Sequence, residues 1–398
     1  MWVSYDHESL YDKVDGITSN TSTPTDKSDT LDINKRPVSD SSDRNEYGEY
    51  TYDKINAKKV GIILAAGKNS RGYPASYYLP KALFPIGDRP AIFFSIAQLI
   101  TCGIKYICIV TNDSNDNAIR KIAEYYTKGE VKIFTVKQRK FNGPIDGIKL
   151  GVSCLAYRGI DISNETNLYI YFADNIFFLA MESIKYYIEG LDHYDENKDS
   201  NQNPDIALIT YHTKHPEKFG IAIKDEEGKY KILEKPKNLY GIQEAVVGFY
   251  MYSNKDNNFI RLLNNFYDRT SITGIKYSIT DFNNEFMQIP NIEVSCDSLD
   301  GGYSNVKDID IWYDIGSADE YMRCCAAYKT LIEHGIGLHR LGVPEVAGGA
   351  YGYYNIKRDF IDHILDPDYS RTKYIQFLID ENDRLDKVFN RSEENSNK

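Results

Sequence analysis

The stretch VGIILAAG, residues 60–67, decides how the rest of the chain is interpreted. It is a continuous run of apolar residues that ends at Gly67. Such a run is typical of a strand that is buried on both faces of a parallel sheet. The loop that follows contains Pro74 and Pro80 and carries Arg71 and Lys81. A turn that only connects two elements needs none of these residues, which raises the question of a binding function for this loop.

Strand and helix patterns alternate after this run. The predicted elements are, in chain order, helix 91–103, strand 105–113, helix 115–129, strand 131–136, a helix from about 144 to 157, and strand 167–174. Alternation at this spacing predicts an α/β fold with a doubly wound, mostly parallel (Rossmann-like) sheet. Such sheets bind ligands beyond the carboxyl ends of their strands, where the loop after residue 67 lies.

The second half of the sequence mixes hairpin and helix signals. We predict a hairpin over 219–236, a strand over 244–253, and a short strand leading into a long helix over 309–335 that is started by a capping box of Ser317 and Glu320. The predicted organisation is a disordered tail (1–57), a main domain (58–315), a C-terminal helical segment packed on it (316–360), and a charged helix or tail (361–398).

Composition excludes several classes of protein. The net charge is −11, with 58 acidic against 47 basic residues, so we do not expect a nucleic-acid binder, which needs a basic face. The six cysteines show no metal-ligand spacing, and no apolar run is long enough to span a membrane. We therefore expect a soluble, cytoplasmic protein that does not bind membranes.

Individual residues at the predicted strand ends each allow two interpretations. Arg71 and Lys81, held on a proline-stiffened loop, would suit a polyphosphate, or they could simply be solvated charges. Asp174 and Asp314 could hold a cation or act as turn residues. The EKP stretch at 234–236 could contact a ligand or face solvent at a sheet edge.

A resemblance favours the functional interpretations. LAAG, followed by Arg71, Pro74, Ser76, Pro80 and Lys81 and then by LFPIGDRPAIFFSI, resembles the signature of the sugar-1-phosphate nucleotidyltransferases. The similarity covers roughly residues 58–355, and among the branches the glucose-1-phosphate thymidylyltransferases are closest in length and motif order. YFADN, FG, EKP, VVG and IWYDIG follow in the order of the family motifs.

The resemblance implies an activity and a set of site residues. It implies that a nucleoside triphosphate condenses with a sugar 1-phosphate to a nucleotide-sugar and pyrophosphate, in a homo-oligomer, with an inserted sugar-binding hairpin. The implied catalytic residues are Arg71 and Lys81, and the implied Mg²⁺ ligands are Asp174 and Asp314. The implied nucleotide-binding residues are Leu64, Ala66, Gly67, Asn69, Ser70, Asp146 and Gly147. The implied sugar-phosphate-binding residues are Asn175, Gly220, Glu234, Lys235 and Val246.

Three departures from the family pattern keep alternatives open. Asn69 and Ala173 stand where the family has glycine, and Asp146 stands where the thymidylyltransferase branch has a base-reading glutamine. An aspartate can only accept hydrogen bonds, which would suit guanine, although Asp146 could also serve only the first turn of its helix. A dTTP- or UTP-dependent enzyme is the first prediction. The alternatives are a uridylyl-, guanylyl- or cytidylyltransferase, or a catalytically silent nucleotide-sugar-binding homologue.

Overall fold

The structure is a computed structural model, and it describes residues 54–67, 79–87, 89–126, 131–139, 142–178, 204–299 and 312–333. Three predicted site residues, Asn69, Ser70 and Arg71, lie outside these ranges. So do residues 1–53 of the predicted tail and the whole of 334–398.

The centre of the fold is a parallel sheet. Its strands are β2 (Lys59–Leu64), β5 (Tyr106–Thr111), β6 (Lys132–Lys137) and β8 (Asn167–Phe172). They lie in the order β8–β2–β5–β6, and each neighbouring pair is parallel. The strands that follow β2 in sequence, β5 and β6, are therefore added on one side of β2, and β8 is added on its other side. Sheets that change direction in this way leave a crevice at the carboxyl ends of the strands beside the first one.

Antiparallel strands extend this sheet beyond β8. They are β13 (Gln243–Ser253), which pairs with β8, and then β11 (Gly220–Lys224), β12 (Tyr230–Glu234), β10 (Ile206–Thr213) and β14 (Val294–Ser298), the last of which runs parallel to β10. The hairpin β11–β12 turns at Gly228, whose φ is +80°. The register between β10 and β13 shifts between Leu208 and Thr210, the partners of Tyr250 and Val246. This irregularity lies opposite Gly248.

Helices cover both faces of the sheet. They are α1 (Ile92–Thr101), α2 (Asp116–Tyr126), α3 (Pro144–Tyr157), α4 (Asn258–Thr273), α5 (Ile279–Met287) and α6 (Ala318–Glu333). One core cluster contains apolar residues of α1, α2 and α6, and the other contains those of α3, α4 and α5. The two clusters correspond to the two faces of a doubly wound sheet, so the predicted α/β class and the mostly parallel central sheet are confirmed.

Three short strand pairs complete the described fold. They are β1 (Ile55–Asn56) with β7 (Ile160–Asp161), β3 (Pro85–Ile86) with β4 (Arg89–Pro90), and β9 (Asn175–Phe177) with β15 (Trp312–Asp314). The pairing of β1 corrects the predicted end of the tail at residue 57, because the backbone N–H of Ile55 donates to Gly159 at 2.9 Å and Ala57 is buried. Composition could not show this, since the partner strand lies about a hundred residues away in sequence.

Most predicted elements between 59 and 178 are found, with their ends shifted by a few residues. The predicted helix at 144–157 is α3, which begins at Pro144 after Gly143. Of the predicted capping box, the Oγ of Ser317 accepts a hydrogen bond from the backbone N–H of Glu320 at 3.4 Å. The helices α4 and α5 were not predicted. No described helix combines the length and the apolar character that a membrane crossing requires.

Candidate functional site

A cleft opens at the carboxyl ends of β2 and β8, where the strand order predicts a ligand site. It is lined by Leu64, Ala65, Ala66, Gly67, Lys81, Ala82, Gln138, Gly143, Pro144, Gly147, Phe172, Ala173 and Asp174. Six of these were predicted as site residues: Leu64, Ala66, Gly67, Lys81, Gly147 and Asp174. The structure therefore brings together residues from the first strand, the loop after it, helix α3 and strand β8.

The loop after β2 is fixed from behind by two asparagines that follow β5. Asn115 is 1% exposed and donates from Nδ2 to the carbonyl of Ala65 at 2.8 Å. Asn112 donates from Nδ2 to the carbonyl of Ala66 at 3.2 Å. The sequence analysis did not identify either residue. The signal was present, because polar residues at the carboxyl end of a strand next to β2 must lie at this edge of the sheet.

Lys81 and Asp174 form an ion pair at the cleft. The Nζ of Lys81 lies 3.1 Å from Oδ2 of Asp174, and the two side chains are 13% and 28% exposed. Lys81 begins a 3₁₀ turn whose next residues, Ala82 and Leu83, are buried. That turn is anchored in the core, so the ammonium group is held in place rather than extending freely into solvent.

Asp314 lies beside Asp174 on the strand pair β9–β15. It is the register partner of Asn175, and the backbone N–H of Ile315 donates to the carbonyl of Asp174 at 2.9 Å. The two aspartates, far apart in sequence, are therefore neighbours in the fold. No group of three His, Cys, Asp or Glu side chains that could hold a metal is found in the described part of the chain. Two carboxylates, with phosphate oxygens and water completing the shell, are a donor set that fits Mg²⁺.

Asn175 connects this acidic turn to two other strands. Asn175 is buried, with 6% of its surface exposed. Oδ1 accepts hydrogen bonds from the backbone N–H of Gly248 at 2.9 Å and from Nε1 of Trp312 at 2.8 Å, while Nδ2 donates to Oδ1 of Asp174 at 3.1 Å. The shifted register of β13 frees the Gly248 N–H for this contact. In this arrangement Asn175 orients Asp174 and is itself almost wholly buried.

Gln138 lines the cleft, and it is held by Asp146. Gln138 follows β6, is 5% exposed, and donates from Nε2 to Oδ2 of Asp146 at 2.9 Å and to the carbonyl of Gly143 at 3.3 Å. Asp146, in the first turn of α3, lies behind Gln138 and is not one of the residues that line the cleft. Gln138 was missed in the sequence, although it too is a polar residue just past the carboxyl end of a strand.

The hairpin β11–β12 gathers a second group of predicted residues. Oε2 of Glu234 accepts a hydrogen bond from Oγ1 of Thr280 at 2.5 Å, and Oε1 lies 2.9 Å from Nζ of Lys235. A Cβ on Gly220 would lie 3.0 Å from Ile232 and 3.3 Å from Oγ1 of Thr280. Thr280, which α5 contributes, is a residue of this group that the sequence analysis did not identify.

An aromatic residue joins this hairpin group to the cleft. Tyr250 packs its ring against Phe172, a cleft residue, with centroids 6.1 Å apart. Burial raises the pKa of Tyr250, and the charge of Glu234 raises it further. Val246, the remaining predicted sugar-side residue, belongs to the same core cluster as Tyr250. The ring contact of Tyr250 with Phe172 therefore connects β13 to the cleft.

Comparisons with known proteins agree with this layout. A family model described as nucleotidyl transferase matches residues 60–330, which include every described residue of the cleft. A glucose-1-phosphate thymidylyltransferase of Mycolicibacterium smegmatis is 25% identical over 293 residues, which are 74% of this chain and 89% of the relative. One from Neisseria meningitidis is 23% identical over 289 residues, 72% of this chain and 88% of the relative.

A solved structure shares the fold. It comes from Bacillus anthracis, is described as a candidate glucose-1-phosphate thymidylyltransferase in complex with a sucrose, and superposes with a TM-score of 0.52 at 23% identity. The match covers 73% of this chain and 98% of that one.

Proposed function

The chain belongs to the nucleotidyl transferase family, and from that premise we propose that it condenses a nucleoside triphosphate with a sugar 1-phosphate of the glucose 1-phosphate type. The products are a nucleotide-sugar and pyrophosphate. The observation that carries this proposal is the ion pair of Lys81 with Asp174 in the cleft at the carboxyl ends of β2 and β8. A fixed cation beside a carboxylate at this edge suits a phosphate that must be both bound and neutralised.

The chemistry needs no covalent enzyme intermediate. A phosphate oxygen of the sugar 1-phosphate attacks the α-phosphorus of the triphosphate, a new P–O bond forms, and the bond to the leaving pyrophosphate breaks. Because the nucleophile is already an anion, the enzyme contributes positioning and charge stabilisation. Lys81 would neutralise charge at the α-phosphate. Asp174 and Asp314 would hold a Mg²⁺ ion, whose positive charge helps to screen the phosphate oxygens.

Lys235 and Glu234 would bind the second substrate. Lys235 has φ of 45°, a left-handed conformation that costs energy for a residue with a side chain. Such strain is found at functional sites that fix one orientation of a side chain. The carboxylate of Glu234, held by Thr280, is an acceptor for sugar hydroxyls, and the ammonium of Lys235 is a partner for the sugar phosphate.

Gln138 favours a base with a ring N–H donor, such as uracil or thymine, over cytosine. Nε2 of Gln138 donates to the carboxylate of Asp146 and to the carbonyl of Gly143. Neither of these groups can donate a hydrogen bond, so the amide nitrogen, and not the amide oxygen, must face them. The amide oxygen then faces Gly147, another residue of the cleft wall. An oxygen at this wall accepts from the ring N–H of uracil or thymine, whereas cytosine has an acceptor at that ring position. Asp146 would thus act on the base through Gln138.

The proposal is tested by pyrophosphate release from a matrix of triphosphates and sugar 1-phosphates. We expect turnover with dTTP or UTP and glucose 1-phosphate, reduced about 100-fold or more in Lys81→Ala. Lys149→Ala is the matched control, because Lys149 pairs with Asn264 outside the cleft. Near wild-type turnover by Lys81→Ala would contradict the role of Lys81. Nucleotide-sugar binding without any turnover would instead identify a silent homologue.

The assignment of the base has its own test. In Asp146→Asn the side-chain amide of Gln138 can flip, which exchanges the positions of its oxygen and its nitrogen. We therefore expect the preference for UTP or dTTP over CTP to fall by roughly five- to tenfold, which corresponds to about one hydrogen bond. Asp319→Asn, a first-turn aspartate of α6, controls for the helix dipole. An unchanged preference in Asp146→Asn would contradict the role of Gln138.

A further inference from the structure

A buried polar pair lies behind the turn that carries Asp174. Gln98 on α1 and Tyr171 on β8 are 1% and 0% exposed. The Tyr171 hydroxyl donates to Oε1 of Gln98 and also lies 3.1 Å from the backbone carbonyl of Asn175. Nε2 of Gln98 donates to the backbone carbonyl of Phe177 at 3.1 Å. The pair therefore contacts the two ends of strand β9.

Strand β9 needs such an anchor. Among the described strands it pairs only with β15, in a two-stranded sheet separate from the central one. The carbonyls of Asn175 and Phe177 point to the same edge of the strand because they are two residues apart. The pair ties that edge to α1 and β8, which are part of the main core.

Packing alone does not explain a glutamine and a tyrosine hydroxyl at these positions. Their surroundings are apolar, with Phe177 and Phe249 against the Tyr171 ring at centroid distances of 5.9 and 4.7 Å. Burying polar groups costs free energy that leucine and phenylalanine would avoid. The polar atoms add hydrogen bonds that fix the backbone carbonyls at the two ends of β9.

We propose that Gln98 and Tyr171 are positioning residues, which hold β9 so that the carboxylate of Asp174 stays where it meets Lys81 and can bind a divalent cation. This inference rests on the proposed function, in which Asp174 is a metal ligand. Asp174 directly precedes β9, and the side chain of Asn175 donates to its carboxylate. Burial raises the pKa of Tyr171, so its hydroxyl keeps its proton and remains a donor at assay pH.

The test compares two tyrosine hydroxyls that are buried in the same way. Tyr171→Phe removes the contact with Gln98 and Asn175. Tyr252→Phe, the matched control, removes a hydroxyl that donates to Asn283 at 2.5 Å in the other core cluster. Both variants lose a buried hydrogen bond, and both leave an amide oxygen without its donor. Thermal unfolding measures the stability that each one loses.

The deciding measurement is cation affinity in the full chain. Binding of Mn²⁺ followed by electron paramagnetic resonance reports the site directly, and the Mg²⁺ concentration for half-maximal turnover reports it during catalysis. We expect Tyr171→Phe to weaken both by about three- to tenfold, less than the roughly ten- to hundredfold loss caused by removing a direct hydrogen-bond partner of a metal ligand, because Tyr171 acts on Asp174 through the backbone of Asn175. We expect Tyr252→Phe to leave both unchanged.

Several results would overturn the inference. Equal Mn²⁺ affinity in Tyr171→Phe and wild type would do so, as would an equal loss in Tyr252→Phe or a wild-type chain that binds no Mn²⁺. If Tyr171→Phe does not fold, Gln98→Leu carries the same comparison, since it frees the carbonyl of Phe177. A wild-type chain that binds Mn²⁺ but releases no pyrophosphate would reject the proposed function while the Mn²⁺ comparison still decides this inference.

Discussion

Gly248→Ala should damage the site and the fold together, because it removes the space that Asn175 occupies. A Cβ on Gly248 would lie 2.6 Å from Nδ2, 2.7 Å from Cγ and 2.9 Å from Oδ1 of Asn175. Real Cβ atoms do not approach other atoms so closely, so the Asn175 side chain or the β13 backbone must move. Asn175 is 6% exposed and has little room to do so.

The size of the effect follows from the contacts of Asn175. If its side chain is displaced, the N–H groups of Gly248 and Trp312 lose their acceptor, at about 1–3 kcal/mol for each buried donor. Overpacking adds about 1–3 kcal/mol. With partial relaxation, we expect the free energy of unfolding to fall by about 3–6 kcal/mol. The hydrogen bond from Asn175 to Asp174 is lost as well, so catalytic activity should fall in the fraction that remains folded.

Urea unfolding followed by circular dichroism measures this effect in a double-mutant cycle. In an Asn175→Ala background the clash is absent, so Gly248→Ala should cost less than about 1 kcal/mol there. Gly67→Ala is the control, because a Cβ on Gly67 meets no heavy atom within 4 Å. The reasoning is refuted if Gly248→Ala costs the same with and without the Asn175 side chain, or costs no more than Gly67→Ala.

Two further changes test other parts of the structure. Lys235→Gly should have a free energy of unfolding about 1 kcal/mol higher than that of Lys235→Ala, because glycine adopts the left-handed backbone conformation without strain. Both variants should lose affinity for the sugar 1-phosphate. Equal free energies of unfolding would argue against strain at this position. Among three partly buried thiols, Cys154 should react first with a disulfide reagent near pH 8. A hydrogen bond from Cys108 lowers the pKa of Cys154, whereas burial raises the pKa of Cys296 to about 12 and that of Cys325 to about 11. Cys154→Ser should therefore remove the fast phase of the reaction. A fast phase that persists in this variant would refute the predicted order of thiol reactivity.

Local sequence signals were sufficient for the central sheet. The apolar run ending at Gly67 and the glycine before Pro144 mark a strand end and a helix start that depend on neighbouring residues alone. The helices α4 and α5 were not predicted, although stretches such as NFIRLLNNF have the periodicity of a helix with one apolar face. The strand β1 could not be predicted from its own composition, because its partner comes from a distant segment.

The site was predictable where one residue acts by its own chemistry. Lys81, Asp174 and Asp314 carry charges that suit a phosphate or a cation, the resemblance to the family implied their roles, and the structure places Asp174 beside each of the other two. Asn175 was predicted as a sugar-phosphate ligand, but its buried amide is engaged with Gly248, Trp312 and Asp174. That role depends on three strands meeting, which a single stretch of sequence does not show.

Stability gives little reason for the pairing of Lys81 with Asp174. Both side chains are partly exposed, and an ion pair of this kind contributes only about 0–1 kcal/mol to folding. Holding Asp174 there uses the buried polar contacts of Gln98 and Tyr171, and replacing both of these residues by apolar groups of similar shape would cost little stability. A chain that had kept only the fold would have no need of this support. The support therefore favours a chain that still uses Asp174 over one that has kept only the fold, and one of the departures from the family pattern, Asp146, is matched by its hydrogen bond from Gln138.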